Sequence, residues 1–323
     1  MNIPRDLLRP STAALLCGLL AGCGLSAPSS DSPLPQDAAA TETASPFLPL
    51  SESESAALSP TPSPRITDTP TSSPSPEPTA TPTASQPLVI TMLYNNIPYD
   101  QRLQTDWGFS ALVEWEETVL LFDTGGNGTI LMNNMRLMEV DPARIRYVVL
   151  SHIHADHTAG LPAFLDSVVA RPPVYLLSGF GASYIQSVRA RTEVVETSPG
   201  LEIAPGILTT GNAGGSVPEQ ALVVRTGRGL VVITGCAHPG IVRIVEISVE
   251  LTGDEVYLVM GGFHLMNHSA AQISAILEDF RRLGVQNVAP SHCTGDRAIS
   301  MFAEEYGDHF LPTGAGSILQ LDG

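Results

Sequence analysis

The chain has 323 residues, with 33 Asp plus Glu against 16 Arg and no lysine, for a formal net charge of −17. So acidic a surface repels phosphate backbones at long range, which argues against a nucleic-acid partner. At this length two or three domains are possible, but the composition supports only one large folded unit.

Residues 1–23 read as an export signal. Arg5 and Arg9 form a positive start, and Ala13 to Leu20 is an apolar run too short to cross a bilayer as a mature helix. The run closes on Leu20-Ala21-Gly22-Cys23, which resembles a bacterial lipobox. The resemblance implies cleavage before Cys23, lipidation of Cys23, and an exported chain anchored to the bacterial membrane by its lipid. Residues 24–87 are rich in Ser, Thr, Pro and Ala, as in Thr69-Pro70-Thr71-Ser72-Ser73-Pro74. Such a stretch has too few large apolar side chains to offset the entropy of ordering, so a disordered tether is expected. Residues 88–323 remain as the folded domain, ample for a buried core.

In that domain β-branched runs alternate with helical patterns. Strands are expected at 88–94, 109–115 and 118–123, then a helix at 129–139 and a buried strand at 146–150. A helix at 158–169, a strand at 174–177 and a helix at 179–191 follow. Runs at 222–225 and 230–234 flank Gly227-Arg228-Gly229, a hairpin signal. Helices at 239–251, 269–283 and 296–305 alternate with strands at 256–260, 286–289 and 317–321. Two sheets face to face with helices outside would bury such strands on both sides.

The strongest chemical signal is Ser151-His152-Ile153-His154-Ala155-Asp156-His157, directly after the buried strand. Three imidazoles and a carboxylate at fixed spacing suit zinc or a similar divalent ion, with manganese or iron as alternatives. One short loop cannot easily wrap a single ion with all four donors, so sharing them between two ions is the natural solution. Two later histidines also follow expected strands: His238 in Gly235-Cys236-Ala237-His238, and His292 in Ser291-His292-Cys293-Thr294-Gly295. Cys236 and Cys293 lie beside them. A disulfide, two thiols and a metal contact are all open to this pair.

The spacing His-x-His-x-Asp-His resembles the signature of the metallo-β-lactamase superfamily. The resemblance implies a four-layer αββα sandwich and one or two divalent ions. It places His152, His154 and His238 on the first ion, and Asp156, His157 and His292 on the second. Asp123, in Leu121-Phe122-Asp123-Thr124-Gly125, matches an acidic residue that orients a ligand from behind. Thr105 to Ser110, Gly235-Cys236-Ala237-His238-Pro239-Gly240, Gly261-Gly262-Phe263-His264-Leu265 and His292-Cys293-Thr294-Gly295 are similar to the dihydropterin ribofuranosylaminobenzene-phosphate synthase subfamily. The chain departs from many two-metal relatives at Met260-Gly261-Gly262-Phe263-His264, where those have a bridging Asp.

The activity implied is hydrolysis by metal-activated water, with Asp156 orienting the hydroxide; His264 is open to three roles, a replacement ligand, a substrate-binding group or a proton donor to the leaving group. A small phosphoester is the leading substrate. The alternatives are an acyl compound such as a lactone or thioester, and a lipid-anchored metal- or ligand-binding protein with little turnover. His268 and His309 read as ordinary loop and helix-end residues.

Overall fold

The computed structural model describes residues 86–322. The expected signal, Cys23 and all but the last two residues of the expected tether lie outside them.

Three strands open the domain, β1 (Leu88–Asn95), β2 (Phe109–Trp115) and β3 (Thr118–Phe122), followed by α1 (Gly128–Leu137) and β4 (Tyr147–Val149). Next come α2 (Ala155–Thr158), α3 (Leu161–Ser167), β5 (Val174–Leu176), α4 (Ala182–Arg189) and β6 (Val194–Glu196). The second half runs through β7 (Glu202–Ala204), β8 (Ile207–Thr209), β9 (Leu222–Thr226), β10 (Gly229–Thr234) and α5 (Ile241–Thr252). It ends with β11 (Val256–Gly262), α6 (Ala270–Arg282), β12 (Asn287–Ser291), α7 (Asp296–Tyr306) and β13 (Ile318–Leu321).

One sheet has the order β13-β1-β2-β3-β4-β5-β6 and the other β12-β11-β10-β9-β8-β7. In the first, β3 to β6 run parallel; in the second, β10 to β12 do. Strand alternation sends Ile90, Val113, Leu120 and Phe122 toward Leu222, Val224, Val231, Leu258 and Met260, forming the core between the sheets. The opposite faces are covered too. Leu121 and Val148 pack under Leu131, Phe164 and Ile185 of α1, α3 and α4, and Val223, Val232 and Val259 under Ile244, Phe280 and Phe302 of α5, α6 and α7. The result is the expected four-layer αββα sandwich. Burial on both faces explains why the strands read as near-continuous apolar runs.

Three short strands, β6, β7 and β8, escaped the sequence reading. Each has three residues, several only partly buried, so neither length nor alternation marks them. Pro205-Gly206 turns β7 into β8 with Gly206 at φ 76°, a turn signal that reasoning from apolar runs passed over. The helix expected at 158–169 also begins earlier. His154 caps α2, so the His-rich motif itself starts the helix, and the chain restarts as α3 after Gly160.

Gly160 shows why the restart falls there. A Cβ on it would lie 1.9 Å from the Thr124 carbonyl oxygen, in the loop after β3. Gly160→Ala should therefore destabilise the domain by about 3 kcal/mol and lower Tm by roughly 10 °C. An unchanged thermal melt would show that the backbone yields at this contact.

Candidate metal centre

The C-terminal ends of β3, β4, β10, β11 and β12 converge at one edge of the sandwich, where layered α/β folds carry their ligand-bearing loops. Asp123 follows β3 and is fully buried. Its Oδ1 accepts from the Ser151 N–H at 2.7 Å and its Oδ2 from the Ser151 hydroxyl at 2.7 Å. His157 Nδ1 donates to the same Oδ2 at 2.7 Å. Because the Ser151 hydroxyl proton goes to the carboxylate, its oxygen accepts from His152 Nδ1 at 2.8 Å. One carboxylate and one serine thus fix Nδ1 of both histidines as a hydrogen-bond donor and turn both Nε2 atoms outward.

Burial, reinforced by the neighbouring imidazoles, pushes His152 down to about 2, so it stays neutral and ready to donate its lone pair. Burial alone would lower His157 as well, but Asp123 and Asp156 outweigh it and hold His157 up at about 10. An ion taken up at its Nε2 must displace that proton, which makes uptake pH-dependent.

His152, His154 and His238 form one group whose donor atoms all lie within 4.8 Å of one another. His152 Nε2 is 3.1 Å from His154 Nδ1. His238 is set by Glu219, a residue the sequence reading missed. Glu219 is fully buried and accepts from the backbone N–H groups of Cys236, Ala237 and His238 and from His238 Nδ1, each at 2.8 Å. It comes from the loop before β9, on the other side of the β9–β10 hairpin from the residues it holds. Burial alone would raise the Glu219 carboxyl, but the His238 hydrogen bond, His152 and the backbone donors bring it down to about 2.

A second group joins Asp156, His157, Cys236 and His292. Asp156 Oδ2 is 3.4 Å from His157 Nε2 and 3.4 Å from His292 Nε2. His292 Nδ1 lies 2.9 Å from Asn96 Oδ1, a second orienting residue the sequence did not reveal. His292 Nε2 is buried with no hydrogen-bond partner among the described residues. A tetrahedral ion bonded to nitrogen and oxygen at about 2.0–2.1 Å separates its donors by roughly 3.3–3.4 Å. The observed spacings match that edge length, and an ion would satisfy the orphaned His292 nitrogen, so the donor set fits a divalent metal.

The sequence pattern of the metallo-beta-lactamase superfamily matches residues 108–292, a span that contains every one of these donors. The chain belongs to the metallo-beta-lactamase superfamily. It is 28% identical to 7,8-dihydropterin-6-methyl-4-(beta-D-ribofuranosyl)-aminobenzene-5'-phosphate synthase of Methanocaldococcus jannaschii, covering 72% of this chain and 96% of the relative. Among solved structures, Tm1679, a metal-dependent hydrolase of the beta-lactamase superfamily, is 31% identical with a TM-score of 0.63, over 73% of this chain and all of that one. The metallo-beta-lactamase fold protein YhfI of Bacillus subtilis superposes with a TM-score of 0.54 at 14% identity, over 73% of this chain and 99% of YhfI, a likeness of fold alone. Superfamily members usually bind divalent ions, in keeping with the donor sets here.

His264 belongs to neither of these groups but forms a third with Cys236 and Cys293, their donor atoms all within 4.8 Å of one another. It is exposed, at φ 55°, with its ring 4.5 Å from that of His238. The preceding Phe263 is buried between Phe280 and Phe302 and anchors this strained turn at the mouth of the site. The hydrogen bond with Cys293 raises His264 above the ordinary imidazole range. Trp107, 45% exposed, sits with its ring 4.7 Å from His292 and offers a flat apolar wall. His309 lies away from the site, against Asn287. His268 lines a cavity of about 250 Å³ beside His238 and His264, closer to the site than its sequence context suggested. Cys236 and Cys293 are buried free thiols.

Proposed function

We propose that this chain is a metal-dependent hydrolase of small phosphoesters, with His152, His154 and His238 holding one ion and Asp156, His157 and His292 among the ligands of a second, zinc being the best match to the donors. The observation that carries this reading is the pair of donor sets lying side by side, with the His152 and His157 rings 4.1 Å apart. A phosphoester is favoured over an acyl substrate because a relative matched over nearly its whole length is named for a 5'-phosphate compound. When bound, the ions supply positive charge against the phosphoryl oxygens and lower the pKa of the water they hold.

The remaining work falls to side chains. Asp156 spends Oδ2 on its histidine neighbours, which leaves Oδ1 to accept a hydrogen bond from the attacking water and aim its lone pair. As the new O–P bond forms and the ester P–O bond breaks, His264 gives its proton to the departing oxygen. Trp107 packs on the apolar part of the substrate.

The same reading makes residues 1–23 a lipoprotein signal, Cys23 the lipidated residue and 24–87 a tether. The domain would then work outside the cytoplasm, held at the membrane and acting on a small molecule.

The direct test is hydrolysis of bis(p-nitrophenyl) phosphate by the full-length chain, metal-loaded and metal-stripped, with His152→Ala as control. Metal-dependent turnover that disappears in the variant is expected. A folded, loaded chain with no turnover would shift the reading to acyl substrates, then to a binding protein. His264→Ala should keep its metal and lose roughly 10²-fold in kcat on esters with alkoxide leaving groups. It should lose less on nitrophenyl esters, whose leaving group needs no proton. Equal losses on both would remove the proton-donor role, and loss of metal would make His264 a ligand.

A further inference from the structure

On the reading that this chain is a phosphoester hydrolase with His264 at the departing oxygen, we infer that the cavity beside His238 and His264 holds the leaving arm of the substrate, and that this arm is a compact, uncharged ring alcohol. The cavity has a volume of about 250 Å³ and lies between the loop that leads from β10 into α5 and the loop that leads from β11 into α6. Pro239, Ile241, Val242, Phe263, Leu265 and Ile276 form its apolar walls.

Both loops are held from behind. Phe263 is buried against Phe280 and Phe302, which fixes the start of the loop after β11. Leu265 is buried as well, and its carbonyl oxygen accepts from the His268 N–H at 2.9 Å, closing a turn. On the facing side α5 starts at Ile241, which is buried, with Val242 half-buried behind it. No Arg, Asp or Glu is among the described residues that line the recess, and imidazoles are its only ionisable groups.

Position, size and polarity together select the ligand. The His264 ring is 4.5 Å from that of His238, so one residue borders both the first donor set and the cavity. An ester oxygen that takes its proton from His264 has this recess as the adjoining room for its carbon skeleton. A closed apolar cavity of about 150 Å³ takes one benzene ring, so the present one accommodates a ring with a short substituent. Burying a charge among such walls without a paired partner is costly, whereas an apolar ring gains by leaving water. Trp107 stands beside His292 and is not part of this lining, so the second arm of a diester has a separate surface. The competing ligand is an anion, because Gly240 to Val242 open α5 and a helix N-terminus attracts negative charge.

A mixed diester decides between them by internal competition. Phenyl 3-carboxyphenyl phosphate offers two leaving phenols of nearly equal acidity, one uncharged and one anionic. The metal-loaded full-length chain is expected to release phenol in preference to 3-hydroxybenzoate by roughly 10-fold. Val242→Phe fills the cavity and should bring that ratio toward one, and Ile276→Phe fills it from the α6 side if the first variant does not fold. Equal release by the wild type, a preference for 3-hydroxybenzoate, or a ratio unmoved by either filling variant would overturn the proposal, the second of these in favour of an anion at α5. Occupancy is also read without turnover. Phenol titrated into the full-length chain should shift the ¹³C-methyl resonances of Val242 and Ile276, and 3-hydroxybenzoate should not; unmoved resonances would overturn the ring site by themselves. If neither arm is released, the hydrolase reading falls and the leaving-arm role with it, and the methyl shifts alone then decide whether the cavity takes an uncharged ring.

Discussion

Replacing Asp156 by Asn is expected to lower kcat/KM for phosphodiester hydrolysis by about 10³-fold, equivalent to about 4 kcal/mol of transition-state stabilisation. The size follows from the two tasks the carboxylate combines. Its Oδ2 sits 3.4 Å from both His157 Nε2 and His292 Nε2, so it is the anionic corner of the second donor set. Its side chain is also the one part of that set that reaches solvent, 21% exposed, so it alone can meet an incoming water. Asparagine keeps the shape but not the charge, and a neutral amide is a poor ligand for a hard or borderline ion. Metal analysis should show one equivalent lost with the fold intact by circular dichroism. Full metal content with full activity would mean that Asp156 neither ligates nor orients the nucleophile.

Glu219→Gln is expected to destabilise the metal-stripped chain by about 3–5 kcal/mol, lowering Tm by roughly 10 °C. Both Glu219 oxygens accept two N–H groups each, from Cys236 and Ala237 on one side and from the His238 backbone and ring on the other. Either orientation of a glutamine amide turns an NH₂ toward two buried donors, leaving them unsatisfied. The pH dependence provides an independent check. The carboxyl falls from 4.5 to about 2 on folding, a difference of roughly 3 kcal/mol in favour of the folded state when ionised. That contribution is complete above pH ~4.5 and is lost as pH drops toward 2, so the Tm gap between wild type and variant should narrow across that window. A gap that stays constant from pH 7 to 2.5 would show that the carboxylate charge is not what holds the loop. In the metal-loaded chain the same substitution should loosen His238 and weaken the first site, since Nδ1 would lose the acceptor that fixes its tautomer.

The two substitutions act on different links of the same structure. On the proposed reading Asp156 touches the reacting groups. Glu219 acts only through His238 and the loop after β10, so its effect on turnover should follow its effect on metal affinity.

What the sequence by itself determined is whatever depends on local spacing. Both faces of β3, β4, β10 and β11 are buried, so their apolar runs stood out. The His152 to His157 motif was legible because a strand end places four potential donors within six residues, a spacing that a polar loop with chance histidines explains poorly. His238 and His292 could be picked out because each follows such a run, and Asp123 because it closes one. The strands β6, β7 and β8 were lost because three residues each, most of them only partly buried in β6 and β7, carry too little periodicity to register.

The tertiary structure alone decided which residues stand behind the candidate metal donors. Asn96 lies 196 residues from His292 and Glu219 a whole hairpin from His238, and nothing in their neighbourhoods marks either. A buried carboxylate becomes recognisable only when its four donors are seen around it. The sulfur of Cys236 is a similar case. Its neighbours in the chain leave a disulfide, a thiol or a ligand equally open, and only the convergence of β10, β11 and β12 sets it 3.3 Å from His157. Spacing along the chain determines which side chains share a strand end, but distances between strand ends follow from how the two sheets pack, and that packing sums contacts from the whole domain.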